Sequence, residues 1–515
     1  MGCITGSWFT LKINGSHHGF FKGKSGVRQG DPLSPFLFVL SMEILSRKLR
    51  VMCNQPNVCY HPKCSKLGLT HLVFADDLMI FIRGDLPSVQ QAVDTLKIFS
   101  EWSGLKANMD KTEAYLGGVD QNLRSLILST VGFQEGKFPF RYLGLPINSS
   151  RLTRNMYDAR LLKIHKVAAA YSTKFLSYAG RKTVINSTLF GLCNFWCTSF
   201  LLPRLVHKAI SKMSKKNFWG QVGNERRLVY KNWLSACAPW DEGGFHIKDM
   251  EGWNKATLLK WLLCLDKNKG TIWISWIKHY ITATCSIWDL TIQEQHSECL
   301  RGILHVRDIC LLQMGTIPHV QHLLDSCVTQ HTFSISKAYE LFRKKYPIQP
   351  VFKAIHTGTM IPRHQIITML AVQGKLAIVD QIIARGFHWV NRCYLCKEAA
   401  EDAQHLFFQC SYTKELLQEL KLWVKMNTPC CDLQTLLIWP RLRTKKRHWR
   451  SKWVSCCLGS LVYSVWCERN YRIFEGRERP PHALLPEIKH ATSTFLLHKI
   501  NEHSYFADVA ATLNS

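Results

Sequence analysis

The chain has 515 residues, of which 46% are hydrophobic and 20% charged, with 17 Trp and 26 Phe; this excludes a disordered chain and leaves room for three or four domains of about 100–200 residues. Its 66 basic and 37 acidic residues give a formal charge of +29, which points to a phosphate-rich partner, because Lys and Arg displace counterions from a nucleic-acid backbone. No basic segment followed by an apolar run opens the chain, and the longest apolar stretch, Leu189 to Pro203, is broken by Asn194, Thr198 and Ser199; neither secretion nor a membrane partner is expected.

Residues 1–150 alternate strand and helix signals. Phe9 to Ile13 and Gly19 to Lys22 read as strands around the turn Asn14-Gly15. Pro35 to Arg50 reads as a helix with an apolar stripe through Leu37, Leu40, Ile44 and Leu45. Leu69 to Ile82 is an apolar run broken by two aspartates, and Leu86 to Ser100 an amphipathic helix. From about residue 151 the pattern turns helical, with Tyr157 to Phe175, Ile210 to Trp219 and Leu258 to Leu265 as helices and the first two carrying basic faces. Residues 151–250 hold 17 basic and 5 acidic residues, against 16 and 11 in residues 1–150, so the basic surplus lies beside the acidic motif. The expected architecture is α+β: a strand-and-helix region with an antiparallel sheet (1–150), a helical region (151–330), a small, mainly helical region around a Cys/His cluster (331–425) and a helical tail (426–515). Glu478 to Pro486 is the best late linker.

The run Leu72-Val73-Phe74-Ala75-Asp76-Asp77-Leu78-Met79-Ile80 places two carboxylates between apolar strands. Burying them unpaired is costly, and a hairpin that lifts both to its tip removes most of that cost. Paired hard oxygen ligands suit Mg²⁺, and nucleotidyl transfer uses two such ions to clamp the attacking and leaving oxygens. Upstream lies Gly26-Val27-Arg28-Gln29-Gly30-Asp31-Pro32-Leu33-Ser34-Pro35; downstream lie Gly104-Leu105-Lys106 to Lys111-Thr112-Glu113 and Tyr142-Leu143-Gly144-Leu145-Pro146. Glycines allow close backbone approach to a ligand, and the prolines stiffen the start of the next helix.

These four motifs in this order resemble the palm of reverse transcriptases from non-LTR, LINE-type retrotransposons, particularly plant-type ones. The resemblance implies a partial polymerase palm over 1–150 and a helical thumb and connection over 151–330. It implies an RNA-directed DNA polymerase, with an RNA template, a DNA primer or target and no small-molecule cofactor. It implies Asp76 and Asp77 as Mg²⁺ ligands, Lys111 as an acid for the leaving group, Arg28, Gln29 and Gly30 in the template- and nucleotide-positioning motif, and Tyr142 and Gly144 in the primer-grip turn. The family's palm also needs an aspartate on an earlier strand. The 25 residues before Gly26 contain no Asp or Glu, and the first acidic residue is Asp31. The fingers and the family's endonuclease are likewise missing from the pattern, so the isolated chain is expected to be inactive as a polymerase.

Basic helices interleaved with Trp233, Trp240 and Trp253 suit a groove that tracks a nucleic-acid backbone. Cys393, Cys396, His405 and Cys410 form the pattern C-x2-C-x8-H-x4-C, which suits a closed structural Zn²⁺ site. In an intracellular protein the 20 Cys are expected to be reduced, and an ordered cluster to bind metal. This stretch resembles the zinc-binding domain that follows plant retroelement reverse transcriptases. His61 and Cys64, with Cys53 and Cys59, are too irregularly spaced for a second zinc site. The run Arg441 to Lys452, with Lys445-Lys446-Arg447, reads first as a solvated charge run and second as a nuclear address or phosphate patch; an intracellular, nuclear location is expected. The competing reading is a zinc-stabilised, basic nucleic-acid-binding protein without catalysis.

Overall fold

A computed structural model describes residues 6, 8–23, 26–148, 151–171, 176–220, 229–356, 360–428, 432–443 and 449–502. They form two compact units, residues 1–152 with 263–292, and residues 153–262 with 293–515. The segment 263–292, placed by sequence with the thumb and connection, thus clusters with the first unit.

The first unit is α+β. Strands β1 (Trp8–Ile13) and β2 (Ser16–Lys22) pair antiparallel around Asn14 and Gly15, both at positive φ. Helix α1 (Ser34–Met52) follows, then the antiparallel hairpin of β3 (His71–Phe74) and β4 (Asp77–Ile80). Helix α2 (Leu86–Ser103) starts on Asp85, whose carboxylate accepts from the Ser88 amide, and stops at Gly104 in the left-handed region. Short strand β5 (Glu113–Ala114), helix α3 (Gln121–Val131) and strand β6 (Gln134–Glu135) come next, β5 and β6 running parallel. The unit continues with the hairpin of β7 (Phe140–Tyr142) and β8 (Leu145–Ile147). Among the described residues every strand pairs with one partner only. The α+β class holds, and in place of one antiparallel palm sheet there are separate two-stranded ladders, one of them parallel. The helix Ile272–Tyr280 docks on the loop before β3, where Trp276 donates to the Lys63 carbonyl at 2.6 Å and the Tyr280 hydroxyl accepts from the Lys66 amide at 2.8 Å.

The core under the acidic turn joins Leu45, Leu49 and Met52 of α1 to Ala92 and Phe99 of α2, with Leu78 and Ile80 of β4 packed on it. Alternation along β4 sends those two side chains inward. The buried face of α1 is therefore not the expected stripe: Leu40 and Ile44 are exposed, and only Leu45 of that set is buried. The helix is apolar most of the way round, so period alone does not choose its inner face.

The second unit is mainly helical. It contains α4 (Arg154–Ala170), which covers the expected Tyr157–Phe175 helix as far as Ala170; Tyr171 is extended and ends it, and 172–175 lie outside the described residues. It continues with the helix Phe190–Ser199 and α5 (Arg204–Trp219), capped by Gly220 in the left-handed region. Asn254, fully buried, accepts from the Leu202 amide and donates to the carbonyls of Cys197 and Phe200, each at 2.8 Å. The turn Pro239 to Phe245 admits only glycine at position 244, because a Cβ there would lie 1.9 Å from the Ala238 oxygen. Glu242 in this turn holds Arg343 through both guanidinium ends, at 2.6 and 2.7 Å.

Further on come α6 (Pro362–Val372), α7 (Ser411–Trp423), α8 (Trp449–Phe474) and α9 (Pro481–Glu502). Helix α8 is buried along most of its length, with Cys456, Cys457, Leu461, Val462 and Val465 inside. The expected late linker is instead tied down: Glu478 pairs with Lys397, and Arg479 with Glu468 and Glu487. All the described cysteines are free thiols. Among the described residues no helix is long and apolar enough to cross a membrane. Lys445-Lys446-Arg447 lies outside the described residues.

Candidate active site and metal centre

The hairpin β3–β4 has a two-residue turn, Ala75-Asp76, closed by the pair Phe74 and Asp77. Ala75 sits at φ 51°, the left-handed region, where an L side chain meets its own backbone. The turn lifts Asp76 and Asp77 out of the apolar run, and both are exposed. At the base of the hairpin His71 bridges Thr70, at 2.7 Å, and Ser46 of α1, at 2.9 Å. Burial, followed by Arg50, holds its imidazole below the ordinary value, so the neutral ring is favoured. The motif order gave no hint of this tie between α1 and the hairpin.

The β7–β8 turn is formed by Leu143 at φ 50° and Gly144 at φ 80°. Nothing lies within 4 Å of a Cβ built on Gly144, so the backbone angle alone calls for glycine. Tyr142, just before this turn, has its hydroxyl pushed up by burial and then by the charge of Asp77. Asp77 and Tyr142 are therefore within electrostatic reach of each other.

The other palm residues stand apart from these. Arg28, Gln29 and Gly30 form an exposed turn at the start of α1, with Gly30 at φ 88° and the Asp31 amide donating to the Arg28 carbonyl at 3.3 Å. Lys111 is exposed on the turn Asn108 to Thr112 rather than on a helix. Among the described residues no hydrogen bond or ion pair joins these four residues to Asp76 or Asp77. No third His, Cys, Asp or Glu joins the two aspartates in a metal-sized group among the described residues. Two exposed carboxylates fit a divalent cation as part of a ligand set.

The Cys/His cluster is of a different build. The donor atoms of Cys393, Cys396, His405 and Cys410 all lie within 4.8 Å of one another. Cys393 Sγ is 3.9 Å from Cys410 Sγ, and Cys396 Sγ is 3.3 Å from His405 Nε2. A tetrahedral zinc with Zn–S near 2.3 Å has ligand–ligand edges of about 3.4–3.8 Å, so this donor set fits Zn²⁺. Cys393 and Cys410 are buried. The Cys410 contact and burial push the Cys393 thiol up, whereas the same contact lowers Cys410.

Local backbone sets the ligands. Lys397 at φ 62° closes the knuckle, its amide donating to the Cys393 carbonyl at 2.8 Å. A π-helical turn, His405–Gln409, brings His405 and Cys410 together, and the Cys410 amide donates to the His405 carbonyl at 2.7 Å. Behind the ligands, Arg472 of α8 donates to the Leu395 carbonyl at 3.0 Å. Arg469 and Glu401 form a buried ion pair at 2.7 Å, with Glu401 also accepting from the Val379 amide. Buried Glu468 accepts from Arg472 and from the Arg479 backbone and side chain. Sequence reading missed this support. Its only signal was a group of charges, Glu468, Arg469 and Arg472, following the largely apolar run Trp453 to Trp466. Cys53, Cys59, His61 and Cys64 make no such cluster.

Two family models match this chain. Residues 2–147 match the family model of reverse transcriptase (RNA-dependent DNA polymerase), and residues 333–416 match that of zinc-binding in reverse transcriptase. A Pol polyprotein of the type-1 retrotransposable element R2 from Popillia japonica is 28% identical over 163 residues, 30% of this chain and 26% of that protein. A candidate ribonuclease H protein of Arabidopsis thaliana is 22% identical over 154 residues, 30% of this chain and 22% of its own length. An uncharacterized mitochondrial protein of the same plant is 40% identical over 68 residues, 13% of this chain and 54% of that protein. The chain thus spans between about a fifth and about half of the curated relatives it matches.

Proposed function

We propose that this chain, a reverse transcriptase of the non-LTR retrotransposon kind, supplies the carboxylate turn, the primer-holding turn and the nucleic-acid grip of an RNA-directed DNA polymerase. The observation that carries the reading is the β3–β4 tip, where Asp76 and Asp77 stand exposed with Tyr142 in reach of Asp77. Asp76 and Asp77 would hold Mg²⁺, which supplies charge neutralisation at the attacking and leaving oxygens. Tyr142 and the Leu143-Gly144 turn position the primer end, and Arg28, Gln29 and Gly30 approach the template and incoming nucleotide. Lys111 is a proton donor to the leaving pyrophosphate once nucleic acid brings the turns together.

The basic helix α5 supports a backbone grip. Arg204, Lys208, Lys212 and Lys216 are exposed at four-residue steps, and the helix has no acidic residue. Such spacing sets one cationic stripe about 18 Å long, suited to successive phosphates. An RNA template paired with a DNA primer is the partner this geometry fits, and the nucleus is the location that fits such a partner.

Among the described residues no third carboxylate joins Asp76 and Asp77, and two are an incomplete set for a two-metal clamp, so the chain on its own extends primers poorly. Primer extension with Mg²⁺ or Mn²⁺ tests this. Robust synthesis, abolished by Asp76→Ala, would overturn the inactivity and keep the polymerase reading. Salt-dependent primer–template binding, with a slope reduced by about 0.9 per charge in Lys208→Ala and Lys212→Ala, supports the grip. The complete Cys/His site favours a second reading, a zinc-stabilised nucleic-acid-binding protein without catalysis. One zinc per chain, tight binding and no extension in any metal would select it.

A further inference from the structure

The loop between the helix Val379–Ile383 and the first zinc ligand is exposed along its whole length. It presents Phe387, Trp389 and Val390, which are 60%, 45% and 79% exposed. Arg385, His388 and Arg392 alternate with them, and no acidic residue occurs between Asp380 and Glu398. Large apolar side chains in water are unfavourable, and a contiguous set of them marks a surface with a partner.

The loop is anchored at both ends. The Gly386 amide donates to the Ile383 carbonyl at 2.8 Å, and the Cys393 amide to the Ala399 carbonyl at 2.8 Å. Trp389 Nε1 donates to the Tyr394 hydroxyl inside the knuckle at 2.8 Å, and the Asn391 side chain accepts from the Glu401 amide at 2.8 Å. The zinc ligands and α8 therefore hold the Trp389 ring in place. Phe387 and Trp389 are two residues apart, a Cα reach of at most about 7 Å.

We propose that Phe387 and Trp389 form a stacking platform for unpaired bases of a single-stranded nucleic acid, with Arg385 on its phosphates, while Arg392 Nε donates to the Lys397 carbonyl and braces the loop. Charge complementarity selects this occupant: the aromatic faces are interleaved with cations and no carboxylate. Bases offer a π-face to such rings only when unstacked from a duplex. The zinc site acts as the clamp that keeps the platform rigid. The proposal shares with the function above the premise that the chain meets nucleic acid. Primer–template affinity reports on that premise, and the preference for a single strand reports on the platform.

Fluorescence anisotropy of the zinc-loaded full chain with labelled oligo(dT), oligo(U) and a matched duplex tests it. Phe387→Ala combined with Trp389→Ala is expected to weaken single-strand binding by about 10- to 100-fold, given the size of base–aromatic stacking. Duplex binding should stay within about twofold, because phosphate contacts elsewhere carry it. Trp389→Phe keeps the ring but drops the bond to Tyr394, and Phe387→Ala touches no anchor; both should retain zinc. Unequal losses on oligo(dT) and oligo(U) tell DNA from RNA. If the zinc-loaded double variant binds single strands like the parent, the aromatics serve a protein partner and the proposal fails. Equal losses on single strand and duplex would overturn it as well.

Discussion

Asp76 and Asp77 stand in solvent on a two-residue turn, on a hairpin whose strands have no further partner among the described residues. Cys393 and Cys410 are buried, and the carbonyls and carboxylates around them are tied to α8 by Arg469 and Arg472. Both turns gather polar side chains by local backbone geometry, with Ala75 and Lys397 each in the left-handed region. They differ in what lies behind. A site for chemistry must stay open to substrate, whereas a structural metal site gains by closing every ligand position and fixing its supports. The stability of the second unit should therefore depend on its ligand cluster, and that of the first should not.

The largest effect is expected from removing zinc. A strong chelator, or Cys410→Ser, should abolish the bound metal and lower the melting temperature of the second unit by about 10 °C or more, at roughly 2–4 °C per kcal/mol. The first unit's transition should not move. If Cys410→Ser keeps one zinc per chain, the ligand assignment is wrong. Next comes Arg469→Met, which strands Glu401 as a buried carboxylate. The expected cost is about 3–5 kcal/mol by denaturant unfolding, largely restored when Glu401→Leu is added, since breaking a buried pair is worse than replacing it.

A smaller, pH-dependent effect belongs to His364. It is buried, stacked on Tyr463 with ring centroids 4.1 Å apart, and shares a 2.9 Å hydrogen bond with Ser460. Burial, followed by Arg363, holds its imidazole down to about 3. A depressed histidine keeps its native neutrality at no cost above the unfolded value of about 6.5. Stability is then lost as pH falls from there toward the folded value, by about 2 kcal/mol at pH 5. His364→Gln should flatten that acid limb; an unchanged slope would assign it to other groups. The smallest effect is on the hairpin. Ala75→Gly relieves the left-handed strain but adds backbone entropy, for a net gain of about 0.5 kcal/mol in the first unit. A loss there would mean that the Ala75 methyl has a packing role.

The sequence by itself determined the chemistry-bearing groups. Spacing alone assembled Cys393, Cys396, His405 and Cys410, because a knuckle and a one-turn return are local devices. The apolar run with its two central aspartates determined a hairpin with both carboxylates at the tip, because period-two burial leaves them nowhere else to go. Asn14-Gly15 determined the first turn through its need for positive φ. Tertiary structure decided what no local pattern encodes. It chose which face of α1 turns inward, since Leu40 and Leu45 are equally apolar and only the packing of α2 separates them. It turned the segment around Arg479 from a spacer into a junction, because Glu468 on α8 captures it. It also decided which cations are buried in ion pairs, as Arg469 and Arg472 are, and which stand exposed, as the stripe on α5 does. Long-range pairing of charges depends on where helices meet, and that is set by the whole core, not by the residues that pair.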